Sequence, residues 1–248
     1  MQLTTSRFLM TGASGGIGQA LVEQLCAGGA KLLLVGRKSE ALQALAQKFP
    51  GQVQLSLADL RTRQGRDAVL AAARNIAGLN GLINLAGVNQ FSLLEHQDDN
   101  AIADMVELNV TATLQLTRHV LPLLRQQENA LLVNVGSTFG SIGYPGFTAY
   151  CTTKFAIRGF SEALRRELAD TRVKVLYVAL NRQLKVTMDD PQAVARQIVR
   201  AIAREREELY LGWPEKFFVR INSLWPRLVD QALRKQLPLI QRFARSKS

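Results

Sequence analysis

The sequence predicts a doubly wound α/β fold: one parallel sheet covered by helices on both faces, in a single domain that carries a basic, amphipathic helical extension at its C-terminal end. Three observations predict it. Short apolar runs alternate with amphipathic runs of about 10–15 residues, the pattern of βαβ units. A glycine-rich turn follows the first apolar run. Finally, 248 residues with 47% apolar content suit one large core rather than two small ones.

The elements follow in order. RFLMTG (7–12) reads as a strand and GGIGQALVEQLCAGG as a helix ending in glycine. KLLLVG (31–36) is a second strand, and SEALQALAQKF a second helix with Ser39 as its N-cap. VQLSLADL is a third strand, residues 62–77 a third helix and GLINLAG (81–87) a fourth strand. Residues 98–124 read as one long helix that meets Pro122 near its end. ALLVNVGS (130–137) is a fifth strand, Tyr150 to about Ala169 a helix, and VKVLYV (173–178) a sixth strand. Pro191 suits the first turn of a helix through Ala203, and LYLGW (209–213) is a last short strand. The domain proper is expected to span 1–212 and the extension 213–248.

Composition excludes several classes. Cys26 and Cys151 give neither a disulfide framework nor a zinc spacing, and no metal site is expected. The N-terminus MQLTTSRFLMTG lacks a signal-peptide pattern, and no apolar run of about 18 residues exists. A cytoplasmic protein is expected. Net charge is +11 and uneven: residues 191–248 hold 12 Lys/Arg against 5 Asp/Glu. Such asymmetry suits an acidic partner, a membrane surface or nucleic acid, or is simply a solvated face.

In a doubly wound sheet, ligands bind outside the carboxyl ends of the strands. The residues there are informative. After the first strand comes TGASGGIG, with Gly12, Gly16 and Gly18 between a strand and a helix. Glycines at such a turn let the backbone approach pyrophosphate, and the helix N-terminus faces the phosphates. At the end of the second strand Arg37 and Lys38 stand where an NAD site places an acid. A guanidinium there pairs with a 2′-phosphate, so NADP(H) is expected. After the fifth strand come Ser137 and then Tyr150 and Lys154, four residues apart at a helix start and so on one face. A free tyrosine has a pKa near ~10. A neighbouring ammonium favours its phenolate, the tuning a general acid/base needs. The Ser137 hydroxyl suits a developing oxyanion. Taken singly, each of these residues is more often packing or solvated surface.

Together they resemble the short-chain dehydrogenase/reductase family over residues 7 to about 179. TGASGGIG is similar to its cofactor loop, NLAG (84–87) to its NNAG segment with Leu85 in place of the second Asn, and S-x12-Y-x3-K to its catalytic spacing. Asn109 in ELNVTATLQLT matches its helix asparagine. The resemblance implies a Rossmann-type oxidoreductase that moves hydride between NADP(H) and a carbonyl or alcohol. Tyr150 would be its general acid/base, Lys154 the partner that binds the nicotinamide ribose, Ser137 the group orienting the carbonyl and Asn109 the holder of a relay water. It implies cofactor contacts from Gly12, Ser14, Gly15, Gly16, Ile17, Gly18, Arg37, Lys38, Asp59, Leu60, Asn84, Ala86, Gly87, Tyr150 and Lys154, with Asp59 at adenine. Family members are commonly dimers or tetramers, so a homo-oligomer is expected. The competing reading is a non-catalytic NADP(H)-binding sensor or scaffold of the same fold, membrane-associated through its C-terminal helices. The complete Asn–Ser–Tyr–Lys set argues against it.

In the extension, Phe217, Ile221, Leu224 and Leu228 recur at helical spacing, Pro226 breaks the run into two helices, and Arg220, Arg227 and Arg234 are seven apart. The apolar face either packs on the body or a second subunit, or lies on anionic lipid. An apolar substrate is expected beside it. Nucleic acid is not expected, since no recognised binding motif accompanies the charge. After the sixth strand the family has a Pro-Gly-type turn and a substrate loop, whereas Ala179 and Leu180 lead straight into NRQLK. Either this connection is short, leaving the site open or covered by the tail, or a loop is missing from the sequence at this point. The second reading is preferred.

Overall fold

The computed structural model describes residues 1–37, 39–180 and 190–212, and beyond them 219, 221, 222, 224–234 and 238. Among the described residues seven strands form one sheet, in the order β3-β2-β1-β4-β5-β6-β7. They are β1 (Arg7–Thr11), β2 (Lys31–Gly36), β3 (Val53–Leu57), β4 (Gly81–Asn84), β5 (Ala130–Ser137), β6 (Val173–Leu180) and β7 (Glu208–Tyr210). Every neighbouring pair is parallel. Parallel pairing demands a crossover between strands, and the crossovers put helices on both faces.

That is why the central strands are largely apolar runs. Phe8 and Met10 of β1 belong to the core under α1 (Gly16–Ala27), α2 (Glu40–Lys48) and α7 (Pro191–Ala203). Leu9, between them, belongs to the opposite core, under α3 (Arg63–Arg74), α5 (Ala112–Arg125) and α6 (Thr148–Glu167). Successive side chains of a strand point to opposite faces, so a strand covered on both sides has no polar alternation to show. The strand order reverses between β1 and β4, and the crevice outside their carboxyl ends is the ligand edge of such a sheet.

Capping follows the sequence. Ser39 Oγ accepts from Leu42 N–H at 3.3 Å, and Thr62 Oγ1 from Gly65 N–H at 3.0 Å. Asp190 accepts from the N–H groups of Gln192 and Ala193 at 3.0 and 3.1 Å, with Pro191 in the first turn of α7.

The expected long helix over 98–124 is corrected in its middle. α4 (Asp99–Val106) passes through a wide π turn, Glu107–Thr111, before α5 begins. The turn adds a residue to the helical repeat, and Asn109 lies inside it.

The reading of a loop missing after Leu180 falls on the connection between β6 and α7. Residues 181–189 lie outside the described part. In the extension, Pro226 does start a new helix, α8 (Pro226–Arg234). Of the apolar stripe, Leu224 and Leu228 are exposed and Ile221 is half-buried, Val219 and Val229 beside it are buried, and Phe217 lies outside the described residues. The chain is not helical at Trp225, so the 3.6-residue period does not carry across the break.

Candidate active site

The loop after β1 is shaped by two close approaches. Gly12 has φ +76°, and a Cβ there would lie 2.6 Å from Ala86 N; a Cβ on Gly18 would lie 2.2 Å from Gly12 O. Both positions exclude side chains, so the turn is tight and α1 sits close to β1 and to the loop after β4. Thr11 Oγ1 ties that second loop down by accepting from the N–H groups of Leu85 and Ala86, each at 3.1 Å. Ser14, Gly15 and Gly16 are exposed at the start of α1, with nothing nearer than 3.8 Å to a Cβ on either glycine. The first N–H groups of a helix have no internal partners, so this open end suits an anionic phosphate. Ile17 is half-buried against the core.

Arg37 is exposed at the end of β2, and Lys38 lies outside the described residues. Asp59 does not face the crevice unaccompanied. Arg61 donates to it through Nη2 at 2.7 Å, through Nε at 3.1 and 3.2 Å, and through its backbone N–H at 3.0 Å. These bonds, with the charges of Arg61 and Arg37 behind them, hold the Asp59 carboxyl down to about 2. Arg61 also reaches Asp104 at 2.8 Å. Sequence reasoning missed Arg61; its only signal is an acid and a base two apart in DLR. Leu60 is buried, and its carbonyl accepts from Arg66 Nη1 at 2.7 Å. The Asn84 side chain is also committed inward. Its Nδ2 donates to Thr117 Oγ1 at 3.0 Å and Asn134 Oδ1 at 2.9 Å, and Asn134 passes the chain on to Ser161. Leu60 is thus turned inward, and both amide hydrogens of Asn84 are used inside the protein.

Ser137, Tyr150, Lys154 and Asn109 are all buried beside this edge. Ser137 ends β5, and its Oγ accepts from Phe139 N–H at 3.2 Å. Its carbonyl accepts from the Tyr177 hydroxyl at 3.2 Å. Tyr150 and Lys154 lie one turn apart in the first half of α6, with Lys154 Nζ 5.6 Å from the centre of the Tyr150 ring. Nζ donates to Val135 O at 3.2 Å, which fixes it under β5. Asn109 clamps the loop after β4. Its Oδ1 accepts from Val88 N–H and its Nδ2 donates to Val88 O, both at 2.8 Å, and Nδ2 also donates to Thr153 Oγ1 at 3.1 Å. Both amide hydrogens are therefore used, and a relay water would have to donate to Asn109. Gly87 closes the corner: a Cβ there would stand 3.1 Å from Asn109 Oδ1 and 3.5 Å from Lys154 Nζ. Its bare backbone lets the loop after β4 lie close to Asn109 and Lys154, and with the open α1 start the residues fit a nicotinamide dinucleotide.

An aromatic wall stands next to Tyr150. Phe139 and Phe147 meet its ring at centroid distances of 6.4 and 6.1 Å, and Phe91 and Tyr144 pack behind them.

The family model for short chain dehydrogenases matches residues 7–189. This chain belongs to the short-chain dehydrogenase family. Among relatives of this short-chain dehydrogenase, Nodulation protein G of Rhizobium meliloti (strain 1021) is 36% identical over 179 residues, 72% of this chain and 73% of its own. A short chain dehydrogenase from Burkholderia cenocepacia J2315, solved in complex with NADP, superposes with a TM-score of 0.83 at 25% identity, covering 94% of this chain and 99% of that one. One from Burkholderia phymatum, in complex with NAD, has a TM-score of 0.82 at 21% identity over 92% and 96% of the two chains. That last likeness concerns the fold alone.

Proposed function

We propose that this short-chain dehydrogenase is an NADP(H)-dependent oxidoreductase acting between a carbonyl and an alcohol of an apolar small molecule, with Tyr150 as general acid/base. The observation that carries the reading is the buried corner beside Gly87, where Asn109 Oδ1 and Lys154 Nζ lie close to its backbone, the Tyr150 ring lies 5.6 Å from Nζ, and Nζ bonds Val135 O two residues before Ser137. The nicotinamide cofactor, when bound, gives or takes the hydride. Tyr150 transfers a proton to the substrate oxygen in reduction and receives it in oxidation. Lys154, fixed by Val135 O, binds ribose hydroxyls and offsets the negative charge left on Tyr150 when the proton moves. Ser137 Oγ, already held by the Phe139 N–H, donates its own hydrogen to the substrate oxygen. Asn109 keeps the loop at Val88 in place and receives a bond from the relay water.

Arg37 supports NADP(H) over NAD: it stands at the end of β2 where a 2′-hydroxyl site needs a carboxylate. The wall of Phe91, Phe139, Tyr144 and Phe147 supports an apolar substrate. Exposed Leu114 on α5 and Phe155 on α6 support a homo-oligomer.

The test is NADPH oxidation over aldehydes, ketones, 3-oxoacyl thioesters and steroids, run in parallel with NADH. Turnover is expected with NADPH. Tyr150→Phe is expected to lower kcat by a factor of ~10²–10⁴, the range for losing a general acid, while NADPH still quenches protein fluorescence. A phenylalanine variant with wild-type kcat overturns the assignment of Tyr150, and equal use of NADH overturns the role of Arg37.

A further inference from the structure

The C-terminal extension has two sides. One holds the body: Val219 and Val229 are buried, and Asn222 Nδ2 donates to Ser141 O at 3.0 Å, in the turn that follows Ser137. Leu233 and Arg234 of α8 border a cleft of about 810 Å³ against Tyr144, Pro145, Cys151 and Phe155.

The other side is apolar and in water. Leu224 is 68% exposed, Trp225 59% and Leu228 57%. They are the three most exposed large apolar side chains among the described residues, and they fall within five consecutive positions. Single exposed leucines are ordinary, but a cluster containing tryptophan is not. The cluster sits at the corner where the chain leaves one helix at Leu224 and enters α8 at Pro226.

Its surroundings decide between occupants. Arg227 and Arg234 are exposed two turns apart on α8, with Asp230 as the one exposed acid in that helix. Residues 213–248 hold eight Lys/Arg against two Asp/Glu. A second copy would bring the same cations against each other. An anionic bilayer offers both an apolar boundary for the leucines and phosphates for Arg227, with the amphipathic indole at headgroup level. Among the described residues no helix is long and apolar enough to cross a membrane, so the contact is peripheral.

We propose that the Leu224–Trp225–Leu228 corner seats this protein on an anionic membrane surface, with Arg227 contacting lipid phosphates. The inference does not rest on the catalytic reading.

Co-sedimentation of the full chain with vesicles tests it. Vesicles of phosphatidylcholine with phosphatidylglycerol are expected to bind the protein at least ~10-fold more tightly than phosphatidylcholine alone, with binding falling as salt is raised. The triple variant Leu224→Gln, Trp225→Gln, Leu228→Gln is expected to lose at least ~10-fold of that binding. Arg227→Gln is expected to weaken binding to phosphatidylglycerol vesicles alone. Circular dichroism confirms that each variant is folded, and because these side chains are exposed both variants should melt with the wild type. Failure of the full chain to bind phosphatidylglycerol vesicles overturns the proposal, as does undiminished binding by the folded triple variant. If the triple variant instead converts a dimer to a monomer in sedimentation velocity without changing vesicle binding, the corner joins two copies and the lipid assignment is wrong.

Discussion

Tyr177 is the side chain on which Ser137 leans. It is buried in β6, donates to the Ser137 carbonyl, and fills space that Gly136 and Gly140 leave: a Cβ on either would lie 2.4 or 2.8 Å from its hydroxyl. Burial raises its pKa, so it remains a donor across any ordinary assay range. Tyr177→Phe keeps the ring and loses the bond. It is expected to cost about 1 kcal/mol of stability and to lower kcat several-fold with little change in the KM for NADPH. Urea melts and steady-state kinetics check both, and an unchanged kcat would show that Ser137 needs no such support. Nothing in VKVLYVAL announces this role, because in a strand buried on both faces a tyrosine reads as one more large residue. Tyr150 and Lys154 were legible because a helix turns four residues into one face. Arg61 was not: whether it turns to Asp59 depends on a loop path that no periodicity encodes.

At the scale of elements, α7 ends in an unusual way. Glu205 N–H donates to Ile202 O and Arg206 N–H to Ala201 O, each at 3.0 Å, the double bond of a Schellman ending. The position that must turn left-handed is normally glycine, yet here it is Glu205, with φ 51°. Its carboxylate compensates. Lys174, the amino group of Met1 and Asn129 all donate to it and hold it down to about 2. That lies below the value of ~4.3 for an unfolded glutamate. The contribution is therefore full above about pH 4.5 and is lost as pH falls towards 2. Glu205→Gln is expected to cost about 1–2 kcal/mol at pH 7, after allowance for partial solvent screening. The gap from wild type should close at pH 2–3, as thermal melts across pH would record. A gap independent of pH would mean that the cost is conformational rather than electrostatic. The start of this helix was legible from Pro191. Its end was not, since a left-handed glutamate carries no sequence signal. The π turn was equally hidden, because one added residue leaves an apolar pattern nearly intact.

Over the whole molecule, the alternation of runs was enough to read seven strands and their parallel pairing, while the extension was read for its break and its apolar face was left with more than one occupant. Periodicity assumes an unbroken helix, and Trp225 interrupts it. The two cysteines show a further property of the assembled fold. Cys26 lies in the core between α1 and the sheet, its thiol pushed up to about 11 by burial; Cys151 is buried behind Tyr144 and is also raised, chiefly by burial. A thiol attacks as its thiolate and needs access. The native protein is therefore expected to leave Ellman's reagent uncoloured for many minutes and to release two equivalents in guanidinium, whereas prompt reaction of one equivalent in buffer would place Cys151 within reach of solvent. With both sulfurs silent as expected, a cysteine introduced at an exposed position would take up a fluorophore alone, with the natural pair left in place. The interior thus hands the experimenter a background against which a single dye on the surface can be read.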